Sequence, residues 1–238
     1  MKNFDIVIVG AGSAGCIVTN QIINNSNLKV LLIEAGPSDN NPIIHVPLGY
    51  GMTFYHKRMN WNFYSEIQRN LNNREIYYPR GKVIGGSSSI NAMIYARGLK
   101  TDFENWHLNQ NWSWENIKST YEKIEVPIQG KTKKMPLNKI PVNDVSSQHH
   151  PILKNYFAAA NDFHFKFNQQ LSSSIDDQVG NYNVNIINGF RASSAKIFLK
   201  PIKNHPNLTI LTNTEVLKLN FENRKISSLK IKHKKKNN

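Results

Sequence analysis

Apolar residues run almost unbroken through "FDIVIVG" and "LKVLLIEAG", and between these runs they recur at helical spacing, at Ala14, Cys16, Ile17, Val18, Ile22 and Ile23. Short β-branched runs that end in glycine predict buried parallel strands, and the intervening pattern predicts an amphipathic helix. Strand, helix and strand within about thirty residues make one βαβ unit with a right-handed crossover. From Pro37 to Pro79 the periodicity fails and turn residues crowd in, yet the stretch carries Phe54, Tyr55, Trp61, Phe63 and Tyr64. An excursion this long in a compact domain is usually functional.

Further along, "WSWENIKSTYEKIE" predicts a helix with Ser113 as N-cap and Glu115 in the first turn, where the helix dipole favours an acid. "QGKTKKMPLNKIPVND" reads as a loop or a poorly ordered insertion. "HPILKNYFAAANDF" predicts a helix with a stripe of Ile152, Leu153, Tyr156, Phe157 and Ala160. "SAKIFLKPI" predicts a short helix stopped by Pro201. "NLTILTNTEVLKLNFENRKISSLKIK" alternates as strands, with turns at 212–214 and 222–223.

Composition narrows the function classes. A chain of 238 residues, 39% of them hydrophobic, is long enough for a substantial core. Lys and Arg outnumber Asp and Glu by 30 to 16, a net charge of +14 that would suit nucleic acid or an anionic surface. The lysines are scattered, however, mostly beside Asn or Ile, and only "GKTKK" and "KIKHKKKNN" form patches, so solvated faces are the expectation and no nucleic-acid partner is assigned. The single cysteine, Cys16, excludes a disulfide framework and a cysteine-ligated metal, and it fits a reducing compartment. "MKNFDIVIVG" leaves no room for a signal peptide, and no apolar run reaches about 18 residues, so no transmembrane segment is expected. The expected location is cytoplasmic, at most peripheral to the inner membrane. The eight histidines show no metal-ligand spacing, and no metal is expected.

Two glycine-rich loops carry the chemistry. Gly10, Gly12 and Gly15 form G-x-G-x-x-G between the first strand and the helix. There the glycines allow a tight turn, close approach to a pyrophosphate and close helix–strand packing. The helix N-terminus offers free N–H groups to phosphates. Glu34 ends the second strand about twenty residues on, where an acid accepts hydrogen bonds from ribose hydroxyls. Cys16, close behind, reads as a small packing residue rather than a reactive thiol. The second loop, "GKVIGGSSSINAMIYARG", has Gly85 and Gly86 for close backbone approach and Ser87, Ser88 and Ser89 as hydroxyl partners. A second loop suits an isoalloxazine better than a nicotinamide, although an NAD-dependent dehydrogenase and a noncatalytic basic binding protein stay open as alternatives.

With "VIVGAGSAGC", "LLIEAG", "HVPLGYG", "NWNFYSE", "NNREIYYPRGKVIGGSSSINAMIYARG", "DFENW", "NGFRASSAKIFLKP" and "NLTILTNTEVLKL", the chain resembles the glucose-methanol-choline (GMC) flavin oxidoreductases, in particular their choline and alcohol dehydrogenase branch. The blocks are collinear with the family's N-terminal half from Asp5 to about Ile231, and 81–104 matches its first signature. The resemblance implies an α/β fold: a Rossmann-like FAD-binding βαβ domain, an interleaved part of an α+β substrate domain, and the family's C-terminal half absent. It implies an FAD domain over 1–150 with a cofactor-covering excursion at 37–79, substrate-domain residues at 151–205 and return strands at 206–238. It implies FAD as cofactor, with Gly10, Gly12, Ser13, Ala14 and Gly15 on the pyrophosphate and Glu34 on the adenosine ribose. Val83, Gly86, Ser87, Asn91, Ala92 and Met93 would run along the flavin, and the Val216 backbone would pair with adenine. Trp61, Phe63 and Tyr64 are candidates for a cofactor lid or for core.

The implied reaction is oxidation of a small-molecule primary alcohol by hydride transfer to flavin N5, with a quinone or oxygen as electron acceptor. The family's catalytic His pair lies near the C-terminus of a chain more than twice as long, and none of His45, His56, His107, His149, His150, His164, His205 or His233 matches it. The expectation is therefore a truncated or frame-shifted form with no catalytic residue of its own, partnered at most by a separately encoded C-terminal half. Such a form would leave apolar faces uncovered, so weak FAD retention and poor solubility are expected of it.

Overall fold

The computed structural model describes residues 3–106, 109–132, 136–168 and 178–233; His107 and the end of the basic tail lie outside them. The chain forms two compact units, Met1–Ala92 with Ser193–Asn238, and Met93–Ala192. The first unit starts as the apolar pattern predicts, with strand β1 (Ile6–Val9), helix α1 (Ser13–Asn25) and strand β2 (Val30–Ile33). All four β2 residues are buried, as expected of a central parallel strand. β1 differs: Val7 is 39% and Val9 56% exposed. It pairs only with β2 among the described residues, and its outward-facing valines meet no second layer.

The excursion after β2 folds into short helical turns and a two-stranded ribbon, Phe63–Tyr64 against Tyr77–Tyr78. Its Ile44 and Met59 pack with Val83 and Ile90 in a small buried cluster, so the excursion provides the apolar seat on which the second glycine loop rests. Asn60, 2% exposed, organises the ribbon's entrance: its Oδ1 accepts from the N–H groups of Asn62 and Arg80.

In the second unit, β3 (Ile94–Tyr95) is followed by helix α2 (Trp114–Ile124), capped as predicted by the Ser113 hydroxyl, which accepts from the Asn116 N–H at 3.4 Å. Next come β4 (Glu125–Gln129), β5 (Ile140–Asp144), helix α3 (Leu153–Asp162) and β6 (Asn183–Val184), and the sheet order is β3-β6-β5-β4. β5 corrects the expectation of a loop up to Asp144. Its Pro141, like Pro127 in β4, weakens the strand signal in the sequence, yet the two strands pair in parallel from Glu125↔Ile140 to Gln129↔Asp144. Because β5 pairs with β6, residues on both sides of 150 belong to one compact unit, Met93–Ala192. The stripe of α3 is narrower than its sequence suggests: Ala160 is buried and Leu153 and Phe157 half-buried, but Ile152 and Tyr156 are 63% and 59% exposed. At the base of β3 and β4, Arg97 and the Tyr95 hydroxyl both donate to the Glu125 carboxylate, which is 9% exposed.

The chain returns to the first unit through "SAKIFLKPI". Here the expected short helix is a π turn, Ala195–Leu199, and it is not stopped at Pro201 but passes into a 3-10 turn, Lys200–Ile202. Pro201 has no N–H for a carbonyl one turn back, so the pitch changes around it rather than the coil stopping. The π turn lies on α1, where the Asn20 side-chain amide donates to the Phe198 carbonyl at 2.7 Å.

Strand β7 (Leu208–Leu211) then joins β2 in parallel, giving the order β1-β2-β7. β8 (Thr214–Glu222) and β9 (Lys225–His233) form a hairpin turning at Asn223 and Arg224, both at positive φ, the backbone a tight hairpin needs. Two register shifts, at Leu217 and Ser227, re-phase its alternation. The apolar pairs Val216↔Ile231, Leu219↔Leu229 and Phe221↔Ile226 therefore share one face, while Lys218↔Lys230, Asn220↔Ser228 and Glu222↔Lys225 share the other.

Asn20→Ala removes the buried donor to Phe198 and is expected to cost about 1–3 kcal/mol, read as a lower urea midpoint at unchanged slope.

Candidate functional site: two glycine loops in contact

The first loop leaves β1 at Gly10, whose N–H donates to the Ile33 carbonyl at 2.7 Å, and enters α1 at Gly12, the N-cap. Gly15 has no room for a side chain, since a Cβ there would lie 2.0 Å from the Gly10 carbonyl oxygen. Gly12 is the opposite case, because a Cβ would meet no protein atom within 4 Å. No side chain caps α1, and Ser13 and Ala14 are exposed, so the helix N-terminus opens onto free space.

The second loop is laid directly against the first. The Gly85 N–H donates to the Ala11 carbonyl at 2.7 Å, and a Cβ on Gly86 would lie 2.6 Å from Gly12 Cα. Gly86 also sits at φ +55°, so it is glycine for two reasons, close approach and backbone conformation. Immediately before this contact, the Ile84 N–H donates to Pro37 at 3.0 Å, and the Lys82 carbonyl fills the space a Gly36 side chain would need. The serines mostly serve the loop itself: Ser88 donates to Gly85, buried Ser89 donates to Ile84, and Ser87 Oγ accepts from the Gly81 N–H. Of the three, Ser87 is the exposed one.

Glu34 ties the loops to the sheet. It is 5% exposed; Oε2 accepts from the Ala11 N–H at 2.9 Å and Oε1 from the Gly36 N–H at 2.8 Å. Burial raises its carboxyl above the ordinary value, opposed by the N–H groups of Gly36 and Ala11 and by the Lys82 charge. The Glu34 carbonyl accepts from the Thr214 N–H at 2.9 Å, and the Gly36 carbonyl from the Asn213 N–H at 2.7 Å. Val216 lies two residues further along β8.

Of the residues singled out in the sequence, Gly10, Gly12, Ser13, Ala14, Gly15, Glu34, Val83, Gly86 and Ser87 come together here. Asn91 follows, its N–H donating to Ser87 at 2.9 Å, with Ala92 next in the chain. Met93, buried and at φ 61°, is the first residue of the second unit. Gly36, Gly81 and Asn213 were missed, and the "EAG" and "RGK" glycines were the available signal for two of them. Phe63 and Tyr64 are 50% and 62% exposed and so are not core; Trp61 stacks on Phe63 at 5.6 Å, with Lys82 Nζ 3.8 Å from its ring centroid. Among the described residues no three His, Cys, Asp or Glu side chains gather as metal ligands.

The family model for GMC oxidoreductase matches residues 4–238. The chain is 37% identical over 226 residues to an alcohol dehydrogenase [acceptor] of Pseudomonas putida, covering 93% of this chain and 41% of that protein. It is 29% identical to the mitochondrial choline dehydrogenase of Mus musculus over 92% of this chain and 38% of that one. Pyridoxine 4-oxidase from Mesorbium loti superposes with a TM-score of 0.85 at 28% identity, covering 97% of this chain and 46% of the oxidase. An FAD-dependent oxidoreductase from Chaetomium thermophilum, 23% identical, shares the fold at a TM-score of 0.84, over 97% of this chain and 42% of its own. The chain thus spans about two fifths of the length of the curated relatives it matches.

Gly86→Ala is expected to lower stability by roughly 1–3 kcal/mol, because backbone must move to admit the methyl group, whereas Gly12→Ala should stay within about 1 kcal/mol of wild type. Denaturant midpoints of the two variants make the comparison. Burial pushes the Cys16 thiol up to about 12. Iodoacetamide at pH 8 should therefore leave Cys16 unmodified in the folded chain and alkylate it in urea, as read by intact mass.

Proposed function

The chain belongs to the GMC oxidoreductases, whose N-terminal domain binds FAD, and from that premise we propose that the touching glycine loops are the FAD cradle of an enzyme that oxidises primary alcohols at the CH–OH group. The observation that carries the reading is the empty space at Gly12. It lies beside an uncapped helix N-terminus and is flanked by a second loop packed too closely for any side chain to intervene. Backbone N–H groups at Ser13, Ala14 and Gly15, with the positive end of the α1 dipole, would hold the pyrophosphate.

Glu34 has two jobs in this reading. Its carboxylate already fixes the Ala11 and Gly36 N–H groups, and its remaining lone pairs would accept from the adenosine ribose. Val216 would pair with the adenine through its backbone. Val83, Gly86, Ser87, Asn91 and Ala92 would run along the flavin, where exposed Ser87 offers a hydroxyl and the buried members offer main-chain groups. When bound, FAD supplies a hydride acceptor for the alcohol carbon.

The cradle holds and orients; it does not take the hydroxyl proton. Both Glu34 oxygens accept backbone hydrogen bonds, and the Cys16 thiol stays protonated, so neither is available as a base. We place that base outside the cradle. A quinone or oxygen would reoxidise the flavin, and the substrate is an alcohol of the kind the dehydrogenase relatives are named for.

Titrated with the folded chain, FAD is expected to lose fluorescence as it binds, with an affinity weak enough that desalting strips most of it. Gly12→Ala should melt like the wild type but leave FAD fluorescence unquenched, because its methyl group projects into the cradle rather than into protein. A folded wild-type chain that does not quench FAD fluorescence at any tested concentration would refute the assignment.

A further inference from the structure

The first unit holds a cavity of about 520 Å3 between the loop after β2, the π and 3-10 turns and the end of β7. Its floor is apolar: Ile84, Ala195 and Leu199 are 5%, 3% and 4% exposed, and Ile210 lies beside them. One wall is basic. Lys196, Lys200 and Lys203 follow one another at four- and three-residue spacing, which brings them to the same side of the coil. The loop after β2 contributes Asp39, and His45 is pinned nearby with its ring Nε2 2.7 Å from the Asp39 carbonyl.

Three ammonium groups therefore share an apolar cavity with one carboxylate. Across the cavity from Lys200 and Lys203 the lining offers a single carboxylate, that of Asp39. Burial, together with the neighbouring charge of Lys200, lowers the affinity of Lys196 for its proton. An anion placed between these lysines would relieve that repulsion, and the apolar floor would reward a ligand with a hydrocarbon body. The volume falls within the range of small-ligand sites, roughly 300–1,000 Å3.

We propose that this cavity is a binding site for a small amphiphilic anion, a ring or short chain bearing a carboxylate or phosphate, separate from the dinucleotide cradle. The lysines hold the head group; Ile84, Leu199 and Ile210 cover the body; and Asp39 weakens the site for anions. The site does not depend on the flavin reading, since every group it uses is a side chain outside the glycine loops except Ile84.

The test is calorimetric titration of the full chain, with and without saturating FAD, using 2-naphthoate, its neutral isostere 2-naphthamide, phenyl phosphate and inorganic phosphate. Naphthoate should bind at least roughly tenfold more tightly than naphthamide, as expected when one charge-assisted contact is lost. Tighter binding of phenyl phosphate than of naphthoate would identify a phosphate head group, and the reverse order a carboxylate; inorganic phosphate should be the weakest anion in either case. Lys200→Met with Lys203→Met should weaken naphthoate at least as much as neutralising the ligand does. Asp39→Asn should strengthen it, a gain that misfolding cannot imitate. Equal binding of the acid and the amide, an unchanged or weakened affinity in Asp39→Asn, or competitive displacement by FAD would each overturn the proposal. FAD binding with no naphthoate binding would sink this site and leave the cradle standing.

Discussion

The contact between the Gly12 and Gly86 backbones is the constraint around which the first unit is arranged. Two chain segments more than seventy residues apart are brought so close that a single methyl group on Gly86 would collide with Gly12 Cα. Such an approach is tolerable only if both loops are held from behind. Glu34 holds the first loop through Ala11, and the Ala11 carbonyl in turn accepts from Gly85 of the second. One residue, Ala11, thus receives the sheet's acid at its N–H and the second loop at its carbonyl. Burying Glu34 raises its carboxyl pKa and costs stability as the pH rises through that raised value, since stability from this group is fullest below the ordinary carboxylate range. Two charge-assisted hydrogen bonds offset that cost.

The excursion between the loops acquires a physical role in this light. A stretch rich in turn residues is poor material for a sheet, yet Ile44 and Met59 supply the floor against which Val83 and Ile90 bury. Flanked by these two anchors, the glycines between them need no side chains to stay in place. The same economy accounts for Ser88 and Ser89, whose hydroxyls return to the loop's own carbonyls at Gly85 and Ile84 and leave Ser87 facing solvent. All three consecutive serines bond within the loop, and only Ser87 is also exposed.

Much of this was legible in the sequence where pattern and chemistry agree. The βαβ unit, the Ser113 cap, the turn into β8 and the turn of the final hairpin follow from apolar periodicity and turn residues alone. What escaped was set by tertiary contacts. β5 was hidden by Pro141, because strand propensity cannot see the two neighbours that pair with it. The hairpin's amphipathic face was hidden by its two bulges: read with a strict period of two, Val216 and Leu219 fall on opposite faces, and only the skipped residue at 217 reunites them. In the site, glycine spacing located both loops but not their contact with each other, since no local feature of "GAGSAG" states that its partner is "IGGSS".

Burial also divides the labour within the unit. An acid and a thiol at the mouth of a helix would elsewhere be candidates for chemistry, and here both are withdrawn from it. Glu34 is committed to two backbone N–H groups, and Cys16, without exposed surface, has a thiol too weakly acidic to ionise at neutral pH. The open positions of the cradle, Gly12, Ser13 and Ala14, offer only main-chain donors and a hydroxyl. A surface of that composition stabilises negative charge without exchanging protons, which suits a pyrophosphate and keeps its affinity insensitive to pH across the neutral range. What this surface offers an anion is thus main-chain, and burial has withdrawn the two side chains beside it that could have exchanged a proton.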